Sequence, residues 1–150
     1  MKLLLALSFT CLSFLSLNWQ TDFTKAKEDA LKENRAILIS FSGSDWCGPC
    51  IRMEREIFES NVFTNYATNN LVLVKADFPR QKKNQLSKEQ TQKNDALAEK
   101  YNPNGKFPLT LLVSSDEKIL KEWEGLPKET ADQFVEEIKS VLNDAGNSSK

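Results

Sequence analysis

The chain has 150 residues and a mass of 17.1 kDa, which is room for one domain. Hydrophobic residues make up 40% and charged residues 27%, an ordinary globular composition that excludes disordered, collagen-like and coiled-coil readings. Twenty Lys and Arg against 21 Asp and Glu offer no basic face for nucleic acid, and three Cys with no His exclude Ser-His dyads, Cys-His dyads and His-rich metal sites.

Residues 1–18 stand apart from the rest. Lys2 is their only charge, and Leu3 to Leu17 is a fifteen-residue run of Leu, Phe, Ala, Ser, Thr and one Cys. A basic start and an apolar run of this length match a secretory signal peptide. A membrane-spanning helix needs about 20 apolar residues, and a core helix would need a polar face that this run lacks. Ser13 and Ser16 give no clean small-x-small cleavage site. Cys11 as a lipid-bearing cysteine is the weaker alternative, because Ser8 and Phe9 stand where a lipobox has Leu and a small residue. The expectation is a leader over 1–18 and one domain over 19–150, exported to an oxidising compartment, the periplasm, with two cysteines remaining.

Beyond Trp19 the pattern alternates helix and strand. Asp22 can cap a helix to about Asn34, with Phe23, Ala26, Ala30 and Leu31 on one face. Ala36 to Phe41 is a nearly continuous apolar run, as expected of a strand buried on both faces. After a turn at Ser42 to Asp45, Cys50, Met53 and Ile57 recur at helical spacing, and Val62, Phe63 and Tyr66 carry a second helical stretch. Leu71 to Ala76 is a second buried strand, so the two strands and the helical segment between them form a βαβ unit. Residues 79–95 are rich in Lys, Gln and Asn and suggest a solvated insertion leading into a helix near Asp95 to Tyr101. Leu109 to Val113 and Ile119 to Trp123 suggest an antiparallel hairpin. Gly125 and Pro127 then open a final helix carrying Phe134, Ile138 and Val141, with a frayed tail from Asn143 to Lys150. The order is βαβ–ββα behind an extra N-terminal helix, an α/β fold with a central mixed sheet flanked by helices.

The chemistry concentrates in Trp46-Cys47-Gly48-Pro49-Cys50, placed after a strand and opening a helix. Two cysteines at this spacing can close a small disulfide ring, and the helix N-terminus favours a thiolate on the first of them. Pro49 suits a first helical turn, where a missing N–H costs nothing. Half a zinc site is the usual rival, but the mature chain has no other Cys and no His to complete it. A purely structural disulfide is the other rival, although so short a loop constrains the unfolded chain little. Whatever the partner molecules, the pair calls for no cofactor and no metal.

Trp46-Cys47-Gly48-Pro49-Cys50 in a βαβ–ββα order resembles the thioredoxin superfamily over about Trp19 to Leu142. Phe41 to Cys47 followed by Met53-Glu54-Arg55-Glu56-Ile57-Phe58 is similar to exported bacterial thioredoxin-like proteins and to the C-terminal periplasmic domain of the membrane disulfide reductase DsbD. The resemblance implies a thioredoxin fold. It implies Cys47 as the exposed, attacking thiol and Cys50 as the buried, resolving thiol. It also implies a cis-proline at Pro108, facing the disulfide, with Phe107 presenting its backbone to substrate. Trp46, Gly48 and Pro49 complete the expected contact surface, although Trp46 can equally be a ring packed over the turn.

One departure from the family matters. Thioredoxins carry a buried Asp on the strand before the motif, and alignment places Ser40 there, which cannot accept the proton of the second cysteine. Glu54, four residues after Cys50 on the same helical face, and Lys75 on the central strand are the substitutes. Glu54 in a plain surface ion pair and Lys75 as a solvated strand-end charge are the competing readings. The function expected is thiol–disulfide exchange on protein disulfides, as a monomeric reductase resupplied by a membrane electron donor. A disulfide oxidase or isomerase, and a peptide-binding module without catalysis, are the alternatives; a peroxidase lacks its Thr/Cys/Arg arrangement.

Overall fold

Residues 17–148 are described by the structure, a computed structural model, and most of the expected leader, Cys11 included, lies outside them. In chain order the strands are β1 (Trp19–Gln20), β2 (Ala36–Ser42), β3 (Leu71–Asp77), β4 (Leu109–Val113) and β5 (Ile119–Glu124). They form one mixed sheet in the order β1-β3-β2-β4-β5. β1 and β2 run parallel to β3, while β4 is antiparallel to both β2 and β5. The sheet, the βαβ unit and the hairpin stand where the apolar runs put them. β1 is new: two residues are too few for any alternation to show.

Alternation along β2 decides which helices lie on which face. Ile37, Ile39 and Phe41 pack with α1 (Phe23–Glu33) and α4 (Lys88–Tyr101) through Ala26, Ala30, Leu97 and Tyr101. Leu38 and its face-mates look the other way, onto α2 (Gly48–Met53), α3 (Asn61–Asn70) and α5 (Ala131–Ser148). There Phe58, Phe63 and Phe134 are fully buried in mutual contact, each contributing roughly 1.5–3 kcal/mol of burial. The second face therefore carries the cysteine-bearing helix on a rigid aromatic floor. Asp22 caps α1 by accepting the N–H groups of Thr24 and Lys25, and Asn34 closes it with a left-handed φ of 52°.

Four boundaries differ from the sequence expectation. α2 does not continue as a regular helix: a π turn covers Glu54–Phe58 before α3. α4 begins at Lys88 rather than near Asp95, capped by Ser87, which accepts the Gln90 N–H. Its first turns have no apolar face, so periodicity could not reveal them, but Ser87 with Gln90 three positions on is a capping-box pattern. Gly125 and Pro127 do not open the last helix. Gly125 (φ 76°) belongs to a loop, and α5 starts at Ala131 behind a reciprocal cap between Thr130 and Gln133. The tail expected to fray is helical to Ser148, an extension that propagates cheaply from a helix already docked through Val141 and Leu142.

Candidate active site

Cys47 is the N-cap of α2, and its side chain accepts the Cys50 N–H at 3.3 Å. The two cysteines form a disulfide with Cα atoms 5.2 Å apart. The turn before it is tied by the Cys47 N–H donating to the Gly43 carbonyl at 2.9 Å, and the Gly43 N–H donates to Cys50 Sγ at 3.5 Å. Each sulfur thus has one backbone N–H aimed at it, an arrangement that favours negative charge on sulfur when the bond opens. Pro49 sits in the first turn of α2, as its missing N–H permits. Gly48 and Pro49 are exposed. Cys47, expected to be exposed, is only 5% accessible, close to the 3% of Cys50. Bonding to Cys50 turns its sulfur inward over the helix start.

Pro108 lies beside this ring at the head of β4. The Phe107–Pro108 peptide bond is cis, as the resemblance implied, and the Pro108 carbonyl accepts the Gly125 N–H at 2.8 Å. Phe107 and Pro108 join Pro49, Leu126 and Pro127 in lining an open groove of about 840 Å³ along the start of α5. The loop over 125–130 that displaced the expected helix start is one wall of that groove.

On the far side of Cys50, the two substitutes for the missing Asp come together. Lys75 Nζ donates to Glu54 Oε2 at 2.6 Å, and both residues line a cavity of about 400 Å³ with Cys50, Ser42 and Ser44. Ser40 lies directly opposite Lys75 in the β2–β3 register and is 3% accessible. Glu54 is the first residue of the π turn, and Lys75 is also covered by the Trp19 ring, with Nζ 4.8 Å from its centroid. The partner of Glu54 is therefore the strand lysine, and the pair faces the cavity beside Cys50.

Sequence reasoning missed the anchoring of the segment after β3. Residues 80–85 are exposed, as expected of a solvated insertion, but the segment is also tied back onto the active-site turn. Asp45 accepts the N–H groups of Arg80 (2.9 Å) and Gln81 (3.0 Å) and the Asn84 amide (2.9 Å). These bonds, the Arg80 N–H foremost, hold its carboxyl below the usual aspartate range. Asp77 accepts the N–H and hydroxyl of Ser44, and the Trp46 indole N–H donates to the Phe78 carbonyl at 2.7 Å. Trp46 also meets Phe107 edge to face, with centroids 5.5 Å apart, and Arg80 lies 3.6 Å over its ring. Trp46 is thus both packed over the turn and part of the site's wall.

A thioredoxin fold with a Cys-Gly-Pro-Cys disulfide at a helix start defines a thiol–disulfide oxidoreductase. The chain belongs to the thioredoxin-like family, whose pattern matches residues 18–113. It is 33% identical over 127 residues to a protein named disulfide bond reductase DsbH from Chlamydia pneumoniae, covering 85% of this chain and 74% of that one. The thioredoxin-related protein DsbJ of the same organism is 27% identical, and there the match spans only 36% of the relative. Among solved structures, a DsbH oxidoreductase superposes with a TM-score of 0.77 at 32% identity, covering 85% of each chain. The C-terminal domain of Neisseria meningitidis DsbD, in reduced form, superposes with a TM-score of 0.58 at 21% identity, covering 79% of this chain and 92% of that one; the likeness is one of fold.

Proposed function

We propose that this protein is an exported disulfide reductase of the periplasm, acting as a monomer on the disulfides of other exported proteins. The observation that carries the reading is the Cys47–Cys50 disulfide set between a groove lined by Phe107 and Pro108 and a cavity lined by Glu54 and Lys75. In the reduced enzyme the Cys47 thiolate attacks one sulfur of a substrate disulfide, and the other sulfur leaves as a thiolate that takes up a proton. Cys50 then gives its proton to Glu54 and attacks Cys47 Sγ, releasing the second substrate sulfur. Two electrons have passed to the substrate, now a dithiol, and the enzyme is left as the disulfide seen here. A dithiol partner in the membrane returns two electrons and completes the cycle.

Trp46, Gly48, Pro49, Phe107 and Pro108 form the substrate surface in this reading. No hydrogen bond engages the Phe107 backbone among the described residues, which leaves its N–H and C=O free to pair with an extended peptide. Residues 1–18 act as the export signal. Among the described residues no helix is long and apolar enough to cross a membrane. The test is turnover of insulin disulfides with dithiothreitol as donor, together with the Cys47–Cys50 reduction potential. A potential near that of thioredoxin, about −270 mV, is expected; one near −120 mV, the range of disulfide oxidases, would overturn the direction.

A further inference from the structure

Beside the main groove, and separated from it by Phe107, lies a smaller cavity of about 310 Å³ walled by Trp46, Phe78, Arg80, Leu86, Asn94 and Phe107. The folded-back segment after β3 builds it. Its aromatic walls brace one another, Phe78 against Phe107 at 5.4 Å and Phe107 against Trp46 at 5.5 Å. Its lining carries one cation, Arg80, and one carboxylate, Asp77, whose two oxygens are turned to the N–H and hydroxyl of Ser44. The Arg80 guanidinium covers the Trp46 face, and among the described residues no carboxylate pairs with it. The two aspartates at hand are taken: Asp45 by the N–H groups of Arg80 and Gln81, and Asp77 by Ser44. Lys82 and Lys83 follow in the next turn, exposed and likewise without a carboxylate partner among the described residues.

We propose that this cavity is a substrate subsite in which Arg80 selects disulfides flanked by an acidic residue. The proposal rests on the reductase reading above and names the substrate class for it. A guanidinium stacked by its face on an indole keeps its N–H edge free, and that edge fits a carboxylate with two parallel bonds. An extended segment crossing Phe107 and Pro108 has one flank in the main groove and the other at Arg80. A Glu or Asp there meets a cation already held in place by Asp45 through the backbone, so little side-chain freedom is lost on binding.

Two disulfide-linked peptides that differ only in Glu against Gln beside the cysteine test this, with kcat/KM measured for each. The wild-type protein at about 50 mM salt should prefer the Glu peptide by about fivefold, the upper end for one part-exposed ion pair. The preference should shrink toward one in 1 M salt, where screening acts over about 3 Å. Arg80→Gln should remove it, and Arg80→Lys, with the charge but not the fork, should keep only part. Because the ratio is taken within each variant, damage to folding or to the disulfide cancels. Equal rates on both peptides in the wild type, or a preference that survives Arg80→Gln, would overturn the subsite and leave the reductase intact. A wild-type protein that reduces neither peptide would overturn the reductase reading and the subsite together.

Discussion

The two flanks of the Cys47–Cys50 ring are built from opposite materials. Toward Cys50 the neighbours are Glu54, Lys75, Ser42 and Ser44, a polar cavity with an ion pair in its wall. On the other side Trp46, the chain neighbour of Cys47, joins Phe107 and Phe78 in an aromatic wall with the Arg80 cation laid over it. In the mechanism proposed above, the difference follows the two halves of the exchange reaction. Resolution assigned to Cys50 needs somewhere for a proton to go. Attack assigned to Cys47 needs a substrate held against apolar surface with its backbone in reach. Gly43 joins the flanks, donating its N–H to Cys50 Sγ while the Trp46 ring covers its Cα.

The sharpest way to separate the flanks is to remove one sulfur at a time. Cys47→Ala should abolish turnover to the detection limit and form no mixed disulfide. Cys50→Ala should also end turnover, yet accumulate mixed disulfides that survive non-reducing gel electrophoresis. Alkylation of the reduced protein at neutral pH should label Cys47 first, despite its low accessibility in the oxidised state, because opening the bond frees the N-cap sulfur. Equal trapping by both variants would mean that the two sulfurs share one role.

Next in size is the polar flank. Glu54→Gln keeps a hydrogen-bonding group opposite Lys75 but cannot take a proton. Resolution of the mixed disulfide, followed by stopped flow, should slow by about 10²-fold, while the attack step is largely spared. An equal slowing of both steps would show that the ion pair acts on the shape of the whole site and not on Cys50.

Gly43→Ala strikes the junction. An added Cβ would fall 2.3 Å from Trp46 Cε2, so the indole must move. It cannot do so freely, since Phe78, Arg80 and Phe107 hold it on three sides. Overpacking of this kind costs about 1–3 kcal/mol. Chemical denaturation should show that loss, and the potential of the disulfide should shift with it through the displaced Gly43 N–H.

The polar flank was half legible in the sequence, and the aromatic flank hardly at all. Cys47, Cys50 and Pro108 announce themselves by spacing and by a proline at a strand head. Glu54 and Lys75 were separate candidates, because a helix position and a strand position 21 residues apart carry no sign of touching. A Ser in the buried Asp position hinted that another group had to serve Cys50, and Glu54 on its helical face was the carboxylate at hand. Arg80 was invisible for a different reason. It lies in a polar stretch whose contacts are capping bonds to Asp45 and a stack on Trp46, and neither leaves a periodic trace. The sheet was easier, since burial of β2 and β3 on both faces writes an apolar run directly into the chain. The start of α4 was hidden because its first turns bury almost nothing but Asn94, which donates to the Asp77 carbonyl.

The smallest effect expected tests what holds the aromatic flank in place. Asp45 has its pKa lowered, chiefly by the Arg80 N–H, with Asn84 and Gln81 contributing. A carboxylate whose folded pKa is depressed contributes stability above its unfolded pKa, near 3.9, and that contribution is lost as pH falls through the folded value. The tether of residues 80–84 should therefore be complete at neutral pH and through pH 5, and release only in acid below the ordinary aspartate range. Amide hydrogen exchange at Arg80 and Gln81 reports it directly. Both amides should be protected at pH 5, lose protection at lower pH before the amides of β2 do, and be unprotected at every pH in Asp45→Ala. The peptide preference assigned to Arg80 should fall in that variant too, since the cation would no longer be fixed over Trp46. Protection in Asp45→Ala equal to the wild type would mean that the stack on Trp46 alone holds the segment, and the aromatic flank would then need no help from the turn.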